Sequence, residues 1–131
     1  MDEIDVKILE ILKQDSRTKY VKIAEMVGLT EGAVRRRVKN LLEQGVIRRF
    51  TVETKAEVEA IVLVKTDPAQ TRSVTLKIRE ISDKVFEVSG DYDVAALIQA
   101  YNIENLNRKV DAIRRLPFVL STNTLISLAR E

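Results

Sequence analysis

Four cationic side chains within five positions, Arg35, Arg36, Arg37 and Lys39, form the densest charge in the chain. Between Arg35 and Arg49 there are six basic residues and one acid, Glu43. Such a patch is the usual electrostatic footprint for phosphate contact, and arginine also carries the paired donors that match the edge of guanine. A second chemistry is offered by Ser89-Gly90-Asp91-Tyr92-Asp93. Gly90 allows close backbone approach, and Asp91 and Asp93 supply carboxylates. The same residues also make a good hairpin turn. Thr122 and Thr124, two positions apart, place both hydroxyls on one face of an extended segment. The chain has no Cys and no His. That excludes disulfides, zinc fingers, thiolate nucleophiles and imidazole bases. No paired catalytic constellation stands out among the remaining carboxylates, lysines, tyrosines and hydroxyls. An enzyme is therefore not expected, nor a cofactor or a metal site.

The cationic run must be held by something. Tyr20 to Val27 reads as a short helix with Val21, Ile23, Ala24 and Val27 apolar. Gly28 follows at the position where a left-handed residue ends a helix without a Cβ clash. Thr30 is an N-cap for a helix reaching about Gln44, with Val34, Val38, Leu41 and Leu42 on its inner stripe. Two helices around a glycine corner, the second cationic, are the arrangement that places side chains in the DNA major groove. Close helix crossing needs a small fifth residue, which is Ala24 counted from Tyr20. The turn residue is the ninth, Gly28, and Ile23 and Val34 fill the apolar slots.

With Val34 at the origin and 3.6 residues per turn, Gly32, Arg36, Lys39 and Asn40 fall between about 140° and 240°, away from the core. Arg35 and Arg37 fall on the flanks. Base-edge contact is assigned to Gly32, Ala33, Arg36 and Asn40, beside the Thr30 cap. Phosphate contact is assigned to Arg35, Lys39 and Arg48 or Arg49. Arg37 has two readings, a DNA contact or a partner for an acid of the first helix. The blander account of the whole patch is a solvated helix face, which leaves the glycine corner unexplained.

Ahead of this pair, Asp2 to Gln14 carries Ile4, Ile8, Ile11 and Leu12 at helical spacing, with Asp2 as N-cap. After it, residues 46–52 are β-rich and predict a short strand or wing, and residues 51–59 are the expected linker. From residue 60 the pattern is strand, helix, strand, strand, helix, strand. The helices carry Val74, Ile78 and Ile81, then Ile103, Leu106, Val110 and Ile113, the second stopped by Pro117. The fold class is α+β. An N-terminal winged-type helix-turn-helix over residues 1–50 precedes a ferredoxin-like βαββαβ domain over 60–131. Leu63, Ile98, Leu125 and their alternates leave no wholly polar sheet face, so a partner sheet and dimerisation are expected.

Asp2-Glu3-Ile4-Asp5, Ile8-Leu9, Ile23-Ala24, Gly28-Leu29-Thr30, Val34, Arg37-Val38, Leu41, Gly45-Val46-Ile47 and Phe50 resemble the Lrp/AsnC family of feast/famine transcriptional regulators. The resemblance covers nearly the whole chain. It implies a helix-turn-helix head, a ligand-sensing βαββαβ domain, double-stranded DNA as partner, and a homodimer assembling into higher oligomers. It also implies an amino-acid effector. Gly90, Asp91, Tyr92 and Asp93 match the family's sensing turn, and Asp91, Asp93, Asp111, Thr122 and Thr124 are the groups to meet an α-amino and an α-carboxylate group. Their acidity would suit a basic effector such as lysine. This chain departs from the family in having Gly32 where serine is frequent. Its inter-domain segment is also shorter and lacks proline and glycine.

Residues 1–55 hold 12 Lys and Arg against 9 Asp and Glu, whereas residues 56–131 hold 10 against 11. The basic charge belongs to the first half. Charged residues make up 32% of the chain, which leans towards a thermophile's surface of mixed ion pairs. The acidic start has no signal-peptide layout and no apolar run is long enough to span a membrane, so a cytoplasmic protein is expected. The leading reading is a sequence-specific DNA-binding regulator modulated by an amino acid. The alternative is an architectural DNA-binding protein with no effector, whose purely phosphate-driven binding would keep no specificity ratio across a salt series. RNA binding by the second sheet would need exposed aromatics for stacking, and the three Phe and three Tyr are scattered.

Overall fold

Three helices make the first of two compact units, Met1–Glu53 and Thr54–Glu131, in a computed structural model that describes residues 1–128. Helix α1 spans Glu3–Gln14 and opens on a capping box: the Asp2 side chain accepts from the Asp5 backbone N–H while the Asp5 side chain reaches back to the Asp2 N–H. Helix α2 spans Tyr20–Val27 and ends on Gly28 at φ 75°, the left-handed corner that the glycine predicts. Helix α3 spans Glu31–Glu43, and the Thr30 hydroxyl accepts from Ala33 N–H. Ile8, Leu12, Ile23, Ala24, Val34 and Val38 form one buried cluster, each helix contributing two. Full burial of a Val or Ile side chain is worth about 1.5–3 kcal/mol, so three short helices that are marginal singly hold one another in place.

The second unit is a four-stranded antiparallel sheet in the order β2-β3-β1-β4. Strand β1 spans Val58–Thr66, β2 Lys84–Glu87, β3 Val94–Ala100 and β4 Val119–Ile126; α4 spans Thr71–Arg79 and α5 Ile103–Arg114. A 3₁₀ turn at Pro68–Gln70, capped by the Asp67 side chain, leads into α4. Ala60, Val62 and Val64 of β1 and Val94, Ala96 and Ile98 of β3 are buried with Val74, Ile78, Leu106, Val110 and Ile113 of the helices. This is the βαββαβ order expected.

Strand alternation sorts the apolar residues that predicted a second sheet face. Ile98 belongs to the helix-covered core. Leu63 and Leu125 point the other way, with Ile61, Phe86 and Leu97, by the pairings Ile61↔Leu125, Ile61↔Leu97 and Phe86↔Ala95. On that uncovered face Ile61 is 46%, Leu125 50% and Phe86 56% exposed.

Three local expectations are corrected. Residues 46–52 form no strand: the β-rich composition is there, but within the described residues no second strand pairs with it, and Ile47 instead packs on the helical core. Helix α4 stops at Arg79, so Ile81 reaches the core from the following turn rather than from the helix. Strand β1 begins at Val58, within the stretch expected as linker.

Candidate nucleic-acid interface

The corner presents α3 as the wheel geometry requires. Val34, Val38 and Leu41 are buried, Ala33 is half-buried, and Gly32, Arg35, Arg36, Lys39 and Asn40 are exposed. Thr30 sits at the N-cap with its hydroxyl engaged by Ala33 N–H at 3.1 Å. Arg48 and Arg49 are exposed in the segment after the helix.

Ion pairs separate the four α3 cations by availability. Arg35 reaches Glu31 one turn earlier at 2.8 Å, and its guanidinium lies 5.1 Å from the centroid of the Tyr20 ring. Lys39 stands 4.0 Å from Glu43. Both pairs are well exposed i,i+4 contacts of the kind worth only a few tenths of a kcal/mol, so phosphate competes with them easily. Arg37 is different. Its Nη1 donates to both carboxylate oxygens of Asp2 at 2.9 and 2.7 Å and to Asp5 at 3.1 Å. Its side chain is 29% exposed against 64% for Arg35. The hydrogen bond from Arg37, helped by Asp5 N–H, holds the Asp2 carboxyl below its ordinary range, and the two carboxylates raise Arg37 in turn. Arg37 thus takes its second reading, a partner for acids of the first helix. Arg36 holds no ion pair among the described residues.

Beside this face lies a depression of about 380 Å³ lined by Ala33, Arg36, Arg37, Asn40 and Gln44 of the α3 edge and by Asp5 of α1. Gln44 was not among the residues picked out from the sequence. The signal was available, because Arg36, Asn40 and Gln44 are four apart and so share one helix edge.

In the second unit three of the predicted sensing side chains, Asp93, Asp111 and Thr122, already have partners. Gly90 has φ 116°, which its lack of a Cβ permits. One carboxylate oxygen of Asp93 accepts from Thr66 N–H at 2.8 Å and from the Thr66 hydroxyl at 3.4 Å. Lys65 donates to the Asp91 carbonyl at 3.2 Å. Arg114 donates to Asp111 at 3.4 Å and to the Thr122 hydroxyl at 3.1 Å. The Thr124 hydroxyl oxygen is buried without a partner among the described residues. Tyr92 is half-buried. The row Val94–Val64–Thr122 sets the turn and Thr122 at the same end of the sheet but two strands, roughly 10 Å, apart. The structure therefore brings Asp111 together with Thr122 through Arg114, a residue the sequence reading missed, and keeps the turn apart from them. Among the described residues there is no group of three or more carboxylates placed to hold a metal ion, and no helix long and apolar enough to cross a membrane.

A helix-turn-helix head joined to a separate βαββαβ unit defines a DNA-binding regulator with a ligand-binding domain. Residues 1–42 match the AsnC-type helix-turn-helix domain and residues 59–131 the Lrp/AsnC ligand binding domain. The chain belongs to the Lrp/AsnC family of transcriptional regulators. It is 44% identical over 133 residues to the HTH-type transcriptional regulator LysM of Sulfurisphaera tokodaii, covering 98% of this chain and 95% of that one. Among solved structures it is similar in fold to PH0061, with TM-score 0.89 and 22% identity over 100% of this chain and 95% of the other. It is also similar to the transcriptional regulator NMB0573 of Neisseria meningitidis in complex with L-Met, with TM-score 0.80 and 21% identity over 98% and 90%.

Proposed function

We propose that α3 enters the major groove and reads base edges with Gly32, Ala33, Arg36 and Asn40, the Thr30 cap lying at the entry. Arg35, Lys39 and Arg48 meet phosphates. The observation that carries this reading is Arg36, outward, exposed and without an ion pair among the described residues, one turn from the exposed Asn40. Arg bidentate to guanine and Asn bidentate to adenine are the pairings these two side chains can make.

The uncovered apolar sheet face is the dimer surface in this reading, and two heads would then read half-sites about one turn, ~34 Å, apart. An amino acid, a basic one such as lysine, binds the second unit and shifts assembly or head spacing by linkage. Support for an amino acid comes from the match to a ligand-binding domain and from a structural neighbour solved with L-Met. Gly90, Asp91, Tyr92, Asp93, Asp111, Thr122 and Thr124 supply the acceptors and donors. The protein acts in the cytoplasm, where the duplex is.

Selection of duplexes from a random pool, with and without each common amino acid, tests the whole reading. A pseudo-palindromic consensus is expected. Equal binding to selected and random DNA would remove the word "specific" and favour an architectural role. Absence of calorimetric heat from every amino acid would remove the effector.

A further inference from the structure

The head carries an acidic feature that DNA reading does not use. Asp5 lines the same depression as Arg36, Asn40 and Gln44, and Asp2 shares Arg37 with it. Two carboxylates thus stand at the edge of the helix that meets the duplex, in direct contact with Arg37 of that helix at 2.7 and 3.1 Å. Carboxylates repel phosphates, so a head built only for affinity would not place them there. They also take up a cation of the recognition helix, leaving a trio of net charge −1 where a free Arg37 would give +1.

We propose that Asp2 and Asp5 form an acidic guard that withholds Arg37 from the DNA backbone and thereby raises the ratio of specific to non-specific binding. This rests on the DNA-reading role proposed above. Non-specific binding is almost wholly phosphate attraction, with a salt slope of about −0.9 per phosphate neutralised. A loosely docked head can shift until any free cation finds a phosphate. A head fixed by base contacts has one position, and a further cation helps only if a phosphate lies there. Withholding Arg37 therefore weakens random-sequence binding more than operator binding. A plain structural staple between α1 and α3 makes no such distinction.

The test is the full-length Asp2→Asn/Asp5→Asn variant. Asparagine is as good an N-cap as aspartate and keeps one acceptor oxygen for the Asp5 N–H, so α1 retains its start. Wild type and variant are titrated with selected operator and random duplex between about 50 and 200 mM salt. The guard predicts a three- to tenfold gain on random DNA at the low-salt end, a slope steeper by about 0.9, and a smaller gain on operator. Adding Arg37→Ala should return the slope to the wild-type value, since the freed cation is gone. An unchanged or weaker affinity for random DNA, with circular dichroism and melting preserved, overturns the guard. So does a triple variant that keeps the steeper slope. If the double variant does not fold, Asp5→Asn alone is read in the same way. A wild-type protein with no operator preference is a distinct result that removes the underlying DNA-reading proposal instead.

Discussion

The helical head and the sheet unit use their polar side chains in opposite ways. On α3 the outward residues are left open: among the described residues Arg36 has no ion pair, Lys39 is held only by an exposed contact within its own helix, and Arg35 by one such contact and the face of the Tyr20 ring. In the sheet unit Asp93, Asp111 and Thr122 are each engaged by a neighbour in the same chain. The first arrangement is a surface that one chain completes. The second, in the proposed reading, is a set of groups that would have to exchange partners, or be joined by groups from another copy, to hold a ligand. The apolar face on the far side of the sheet, with Ile61, Phe86 and Leu125 exposed, agrees with a unit whose surroundings are unfinished in a single chain.

The comparison can be broken most severely through the cores. Ile23 is fully buried in the helical cluster, and Ile23→Ala should cost about 2–5 kcal/mol. Because the two buried clusters share no residue, hydrogen exchange should show protection falling across α1 to α3 while β1 to β4 keep theirs. DNA binding should weaken with the head. Parallel loss of protection in both units would mean that the two regions are not separate in energy.

At the surface, Arg36→Ala should lower affinity for the selected operator by about 1–3 kcal/mol and relax preference at one base pair, leaving random DNA less affected. Arg35→Ala should weaken both duplexes alike and reduce the salt slope by about 1. Competitive titration against random duplex measures both. An equal loss on the two duplexes for Arg36→Ala would reduce that residue to a phosphate contact.

In the sheet unit the engaged and free carboxylates should part company. Asp93→Ala leaves the backbone N–H of buried Thr66 without its acceptor and should cost about 1–2 kcal/mol of unfolding free energy. Among the described residues the exposed Asp91 side chain supports no hydrogen bond of that kind, and Asp91→Ala should stay within about 0.5 kcal/mol of wild type. Denaturant melts give stability, and amino-acid titration of the same variants gives binding. If Asp91→Ala abolishes binding at unchanged stability, the turn is a sensing element. If only Asp93→Ala does, its effect is structural.

What could be read in advance divides along the same line. The head is built from short-range rules: Gly28 after α2, Thr30 before α3, and a 3.6-residue stripe that sends Arg36 outward. The strand and helix order of the second unit was equally plain from alternation and spacing. Residues 46–52 were not, because β-rich composition makes a strand only where a second strand is in register. The fate of Arg37 was beyond local rules too. Its two carboxylates are 35 and 32 residues away in sequence, and only the packing of α1 against α3 brings them to it. Arg114 was missed for a like reason: its contact with Thr122 depends on α5 lying over β4.

The smallest effect expected concerns acid and the clamp that Asp2 and Asp5 place on Arg37. Asp2 has its carboxyl pKa lowered in the folded head, first by the hydrogen bond from Arg37 and then by Asp5 N–H. A lowered folded pKa stabilises the head at every pH above the ordinary carboxyl value of 3.8. That contribution is lost as pH falls from there through the lowered value. Arg37, raised above its ordinary value, changes nothing in this window because it stays charged. The head should therefore lose stability faster than the sheet unit between pH 4 and the acid limit, on the order of the exposed-pair scale at most. Amide exchange in α1 and α3, followed from pH 5 downward, reads this directly. Asp2→Asn should flatten the head's extra acid sensitivity while keeping the N-cap. If the variant's profile overlays that of wild type, the clamp contributes nothing measurable to holding α1 on α3, and Arg37 is as loosely held as Arg35.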